Sequence, residues 1–224
     1  MNRTRISFFI LAIAVMLFAG FRLFKKEPPV DTHRQLRQVV LGYTFSRTEH
    51  PIVILGDSIT EASTLPPMLC DHALVNAGLG GASTGSDLGT WLLKALDGRR
   101  ATAVLVALGT NDALQGREQR EFEAKYTALL TQIKGVADHL VVLGIPAVDV
   151  RGGMTAEYEV LTRRHIDAFN AALPALAEKA GATFVSLPPM KTPHTIDGIH
   201  LDGAGYEVWD ASVLKGVSLA CGTR

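Results

Sequence analysis

Ser58 is the first residue whose setting suggests chemistry. It follows Gly56 and Asp57 at the end of a short apolar run, Ile-Val-Ile-Leu at residues 52–55. Such a run reads as a buried strand, and a serine just past its end stands at the edge where open α/β sheets build their sites. There its hydroxyl can attack a substrate, and its backbone N–H can face the oxyanion that forms. A Gly-Asp-Ser turn can equally do no more than cap a helix. This stretch alone leaves both readings open.

Three later stretches bear on the choice. Residues 76–83 read Asn-Ala-Gly-Leu-Gly-Gly-Ala-Ser, one residue short of a dinucleotide fingerprint because Ser83 holds the last glycine position. A dinucleotide fold carries its glycines after the first strand, and here they follow the second. The other use of such a loop is an exposed N–H, at Gly81, lining an anion site, since glycine lets backbone approach a ligand closely. Next, Asn111 lies in Gly109-Thr110-Asn111-Asp112, directly after the apolar run 103–108. Its amide can donate to an oxyanion, and Asp112 reads as a cap of the following helix. Last, Asp197 and His200 sit three residues apart after the fifth expected strand, Thr-Phe-Val-Ser at 183–186. In a turn, that spacing brings the carboxylate to Nδ1 and leaves Nε2 for a serine. A solvated surface turn is the competing reading. His33, His50, His72, His139, His165 and His194 show no carboxylate in a comparable loop and read as surface or structural. No His, Cys, Asp or Glu set has metal-ligand spacing, so the expectation is no metal and no cofactor.

The elements that must position these residues alternate. Strands are expected at 52–55, 74–76, 103–108, 140–145 and 183–186, and helices at 32–41, 88–96, 118–136, 154–180 and 205–219. Phe122, Tyr126, Leu129, Leu130 and Ile133 fall on one helical stripe. Pro174 is expected to break or kink its helix. Continuous apolar strands alternating with helices mean a parallel sheet covered on both faces. The reading is α/β: a five-stranded parallel sheet in a three-layer α/β/α domain.

Together the four stretches resemble the SGNH (GDSL-type) hydrolase family, named for a Ser, a Gly, an Asn and a His in ordered blocks. The resemblance spans residues 51–217 and implies a flavodoxin-like fold. It implies Ser58 as nucleophile, His200 as general base and Asp197 as its orienter. It also implies an oxyanion hole from the N–H groups of Ser58 and Gly81 and the Asn111 amide. Ile59 stands where the family name has Leu. Thr60 replaces the second glycine of a G-x-S-x-G elbow, so the α/β-hydrolase motif is absent.

The N-terminus carries a different signal. Five of the 22 basic side chains (Arg3, Arg5, Arg22, Lys25, Lys26) precede Glu27, and none of the 22 acidic ones does. They flank an uncharged run at 6–21. A basic start and an apolar run mark export. Leu17 and Phe18 do not fit an Ala-x-Ala cleavage site, which favours an uncleaved signal anchor over a removed signal peptide. The expected organisation is an anchor or signal at 1–26, a linker and short helix at 27–50, and a catalytic domain at 51–224. The domain would face the bacterial periplasm from the inner membrane. The rest of the chain is net acidic, and nothing in it suggests the clustered basic face that a nucleic-acid surface needs. Export permits a disulfide between Cys70 and Cys221, but with no spacing rule to pair them the sequence favours two separate thiols.

The functional expectation is an exported serine esterase acting on a small-molecule, glycan or lipid ester. The small side chains at Gly80, Gly81 and Ala82 favour a compact acyl group such as acetyl. An O-acyltransferase modifying envelope polysaccharide would use the same acyl-enzyme. A non-catalytic carbohydrate- or lipid-binding module on this fold is disfavoured, because every triad position is filled.

Overall fold

A computed structural model of the chain describes residues 31–151 and 154–222. The segment read as an anchor, 1–26, lies outside the described residues, as does the linker as far as residue 30. Among the described residues no helix is long and apolar enough to cross a membrane. The fold below is that of the compact body from Arg34 onward.

The elements run α1 (Thr32–Phe45), β1 (Ile52–Gly56), α2 (Ser58–Glu61), β2 (Met68–Leu69), β3 (His72–Gly78), α3 (Leu88–Leu96) and β4 (Ala101–Ala107). Then follow α4 (Thr110–Leu114), α5 (Gln119–Ile133), β5 (Ala137–Leu143), α6 (Ala156–Ala180), β6 (Thr183–Val185) and α7 (Gly203–Ser218). The sheet order is β2-β3-β1-β4-β5-β6. Five of these strands are parallel, as expected from the sequence. The sixth is an addition: β2 pairs antiparallel with β3 over only two residues at the edge.

β1 is apolar and buried along its whole length, and β4 and β5 are apolar over most of theirs, because both faces of the sheet are covered. Alternate residues of a strand point to opposite faces. Val53, Leu55, Val104 and Val106 join a core with Phe45 of α1, Trp91 and Leu92 of α3, Phe122 and Tyr126 of α5, and Phe169 of α6. Ile52, Ile54, Leu105 and Val141 face the other way, onto Trp209, Val213 and Val217 of α7. Each such aliphatic side chain, fully buried, contributes on the order of 1.5–3 kcal/mol. β1 lies between β3 and β4, so the chain's path reverses there. That is the switch point at which open α/β sheets hold their ligands. Ser58 begins the helix that leaves it.

Two expectations need correction. Pro174 lies inside α6, which runs unbroken for 25 residues. Phe169, Leu173, Leu176 and Ala177 are buried around it, and this packing outweighs the local cost of about 3 kcal/mol. Cys70 and Cys221 form a disulfide, with Cα atoms 5.9 Å apart. It ties the β2–β3 turn to the C-terminal 3-10 turn, Leu219–Gly222. Folding brings the two cysteines together across 151 residues of sequence, which no local spacing could reveal.

Candidate active site

Asp57 and Ser58 divide the two readings of their turn between them. Asp57 is the N-cap of α2: its backbone is extended and its carboxylate accepts the Ile59 N–H at 3.0 Å. Ser58 is therefore the first helical residue, where N–H groups have no partner within the helix. Its Oγ lies 3.0 Å from Nε2 of His200. Nδ1 of the same ring lies 2.7 Å from Oδ2 of Asp197. Oδ1 of Asp197 accepts the backbone N–H groups of Ile199 and His200, at 3.0 and 2.8 Å. The three-residue spacing is thus a turn in which one carboxylate oxygen closes the backbone and the other takes the ring. An ionised carboxylate only accepts, so Nδ1 carries the proton and Nε2 is free to accept from the serine hydroxyl. Burial alone would push the Asp197 carboxyl up, but the hydrogen bonds from the His200 ring and the two backbone amides outweigh it and hold it below the usual carboxylate range.

Gly81 and Asn111 meet across a second turn. The N–H of Ala82 bonds to the Leu79 carbonyl at 3.0 Å, so Gly80 and Gly81 form the centre of a β-turn. Gly81 has φ of +73°. A positive φ at that position marks the type II class, in which the central peptide is flipped relative to type I. Turn type therefore decides which way the Gly81 N–H points. The Asn111 amide donates to the Ala82 carbonyl at 2.8 Å, which uses one of its two hydrogens and ties α4 to this turn. The structure thus joins Ser58, His200 and Asp197 directly, and joins Asn111 to the turn of Gly81.

Asp112 does not cap α4 as expected; Gly109 is the N-cap. The Asp112 side chain is fully buried and accepts from Thr84 N–H at 2.9 Å, Thr84 Oγ1 at 2.6 Å and Arg117 Nε at 2.6 Å. It holds the far end of the glycine loop to α4. A second correction concerns His194, which does have a carboxylate partner. Asp149 accepts the His194 N–H at 2.8 Å and the Thr195 hydroxyl, and its own N–H bonds to the Gly198 carbonyl at 3.1 Å. The His194 ring faces Asp149 with Nδ1 at 3.4 Å, and its Nε2 lies 2.9 Å from the Ala147 carbonyl. A carbonyl only accepts, so Nε2 is the donor there. Asp149 and His194 are buried beneath the loop that carries Asp197 and His200. The sequence signal for the pair was weak: an aspartate after the β5 strand and a histidine three residues before Asp197. Among the described residues no group of three or more His, Cys, Asp or Glu side chains is placed to hold a metal ion.

Asp57 offers a test of this electrostatic setting. Burial pushes its carboxyl from 3.8 up to about 7, against the opposing pull of the Ile59 amide and the charge of His200. Its contribution to stability is then fully present below the unfolded value and is lost as pH rises through the folded one. Between about pH 4 and pH 7, wild-type protein should lose stability relative to Asp57→Asn, which keeps an oxygen for Ile59. Urea midpoints of both proteins across that range measure the difference; parallel curves would contradict the raised value.

Residues 54–208 match the GDSL-like Lipase/Acylhydrolase family. No curated protein matches the chain. Among solved structures, a protein from Streptococcus pneumonia provisionally described as a platelet activating factor is 25% identical with a TM-score of 0.66, over 91% of this chain and 98% of that one. The lipase/acylhydrolase from Enterococcus faecalis is 21% identical with a TM-score of 0.60, over 75% of this chain and 95% of that one. A catalytic mutant of an acetylxylan esterase from Geobacillus stearothermophilus is 16% identical with a TM-score of 0.59, over 79% and 96%. The latter two likenesses speak to the fold; the family match covers well over half of the sequence. The chain belongs to the GDSL-like lipase/acylhydrolase family and is a carboxylic ester hydrolase.

Proposed function

We propose that Ser58, His200 and Asp197 are the catalytic triad of a serine esterase that removes a small acyl group such as acetyl. One observation carries this reading: the continuous chain from Ser58 Oγ to His200 Nε2 and from Nδ1 to Asp197, at 3.0 and 2.7 Å. His200 takes the serine proton as Oγ attacks the ester carbonyl, and Asp197 stabilises the imidazolium. The N–H groups of Ser58 and Gly81 and the Asn111 amide receive the oxyanion, each worth on the order of 3–4 kcal/mol. Collapse releases the alcohol with the proton from His200 and leaves an acyl-enzyme. Water, deprotonated by the same imidazole, then frees the acid and restores Ser58. Small residues around Gly81 and the fold shared with an acetylxylan esterase favour a short acyl group.

The domain is proposed to be exported and held at the inner membrane by its N-terminal segment. The basic and apolar pattern of residues 1–26 supports this, and so does the Cys70–Cys221 disulfide, a bond that persists in oxidising compartments. Leu36, Val39, Val40 and Tyr43 of α1 are exposed along one helical face, in keeping with a helix close to a lipid surface.

A fluorophosphonate probe should label Ser58, and p-nitrophenyl esters from acetyl to palmitoyl should be cleaved fastest at the short end. Labelling elsewhere, or none, contradicts the triad; a preference for palmitoyl contradicts the acyl assignment. Adding a polysaccharide acceptor and following acyl transfer distinguishes a transferase from a hydrolase. Full-length protein should sediment with membranes; a soluble form trimmed near Gly20 would show a cleaved signal.

A further inference from the structure

We infer that Arg37, on helix α1 and upstream of the family-matched region, is a positioning residue of the active site: with Glu61 it clamps the turn that carries Gly81. Three features converge on the guanidinium. Nε and Nη2 of Arg37 donate to the Gly78 carbonyl at 3.1 and 2.7 Å, and Nη2 also reaches the Asn76 carbonyl at 3.0 Å. Nε lies 3.5 Å from Oε1 of Glu61. The other Glu61 oxygen accepts the Gly80 N–H at 2.7 Å. Arg37 and Glu61 side chains are each about four-fifths covered, at 20% and 23% exposure.

These contacts sit where the oxyanion geometry is decided. Glu61 ends the short helix begun by Ser58. Gly78 ends β3 and leads into the turn at 79–82. A Cβ on Gly78 would fall 2.2 Å from the Glu61 backbone nitrogen, so helix and strand end pack with nothing between them. The Asn76 side chain strengthens the junction, donating to the Thr60 carbonyl at 2.7 Å and accepting the Gly78 N–H at 2.9 Å. Arg37 closes the same junction from outside: its rigid fork holds two strand carbonyls and the carboxylate at once, which a lysine's single ammonium does not reproduce. Held by Arg37, Glu61 captures the amide of Gly80. That fixes the turn one residue before Gly81 and with it the direction of the Gly81 N–H. Asn111 and Asp112 secure the other end of the loop. The glycine loop is thus pinned from two sides, and one pin comes from the helix that follows the proposed anchor.

The inference rests on the oxyanion role proposed for Gly81. It is tested in the full chain with Arg37→Ala, Arg37→Lys, Glu61→Ala and the double variant Arg37→Ala/Glu61→Ala, beside Asn111→Ala. p-Nitrophenyl acetate gives kcat and KM across pH, and end-point labelling with a fluorophosphonate counts the competent molecules. A displaced donor should cost less than a deleted one, which costs about 10²–10³. Arg37→Ala and Glu61→Ala should each lower kcat by roughly tenfold, with KM within about twofold, labelling complete and the pH midpoint unmoved. Arg37→Lys should recover part of the loss. The double variant should lose little more than the worse single one, because both act through one turn. The clamp is overturned if Arg37→Ala keeps wild-type kcat while Asn111→Ala loses it, if losses only match incomplete labelling, or if they multiply in the double variant. Full activity in both Arg37→Ala and Asn111→Ala would instead overturn the oxyanion reading beneath it.

Discussion

Replacing Ser58 with alanine is expected to lower ester turnover by about 10⁴–10⁶ while the protein stays folded. The size follows from what is removed. Without Oγ no acyl-enzyme can form, and His200 has no hydroxyl to activate. What remains is the oxyanion donors acting on a water-borne reaction, which in other triad enzymes sustains only a residue of the rate. The fold should persist because Ser58 contributes little to it. Asp57, not Ser58, caps α2. The Ser58 hydroxyl bonds to a half-exposed histidine rather than to the core, a contact worth on the order of 0.5–1.5 kcal/mol. Alanine is also at home in a helix. The measurement is kcat on p-nitrophenyl acetate beside a thermal midpoint, with loss of fluorophosphonate labelling as a check. Turnover close to wild type would remove Ser58 from the mechanism; an unfolded variant would contradict its placement at the rim of the sheet.

How far the sequence reveals the molecule depends on how local each signal is. The central parallel strands were legible because β1 and β4 are apolar runs bounded by turn residues, and a strand buried on both faces leaves little else to read. Helix α3 was legible to its last residue, since Gly98 and the turn around it stop an apolar periodic run. Asp197 and His200 were legible because one turn places both on the same side. The rest is held by contacts across long stretches of chain. β2 has two residues and no period. Asp112 looked like a cap because it opens a helix, yet its carboxylate reaches back 28 residues to Thr84. Asp149 and His194 lie on separate loops, and only folding brings them together beneath the turn of Asp197 and His200. No motif surrounds Arg37 in the sequence; its fork serves the C-terminal end of a strand about 40 residues later. The residues proposed to carry the chemistry stood out from their neighbours in sequence, and the residues that steady them did not.

Replacing Asp197 with asparagine is expected to lower kcat by about 10²–10⁴, for a reason the turn geometry supplies. Oδ1 of Asp197 accepts two backbone N–H groups, while Oδ2 accepts the ring. Asparagine has only one oxygen. It will stay with the two amides, because turning the NH₂ toward them would set donor against donor twice. The NH₂ then faces Nδ1 of His200, which must become the acceptor. The ring proton moves to Nε2, so Nε2 can no longer take the proton of Ser58. The base is present but in the wrong tautomer. A second consequence concerns charge. Asp197 is held below the usual carboxylate range, so it is ionised throughout the neutral region. Asparagine also removes the charge that stabilises the imidazolium formed as Oγ attacks. A depressed carboxyl contributes stability above its unfolded value and loses it as pH falls through the folded one. The wild-type advantage over Asp197→Asn should therefore be present at neutral pH and vanish under acid. The deciding measurement is kcat/KM against pH for both proteins. Curves that coincide in height would show that Asp197 does not orient His200.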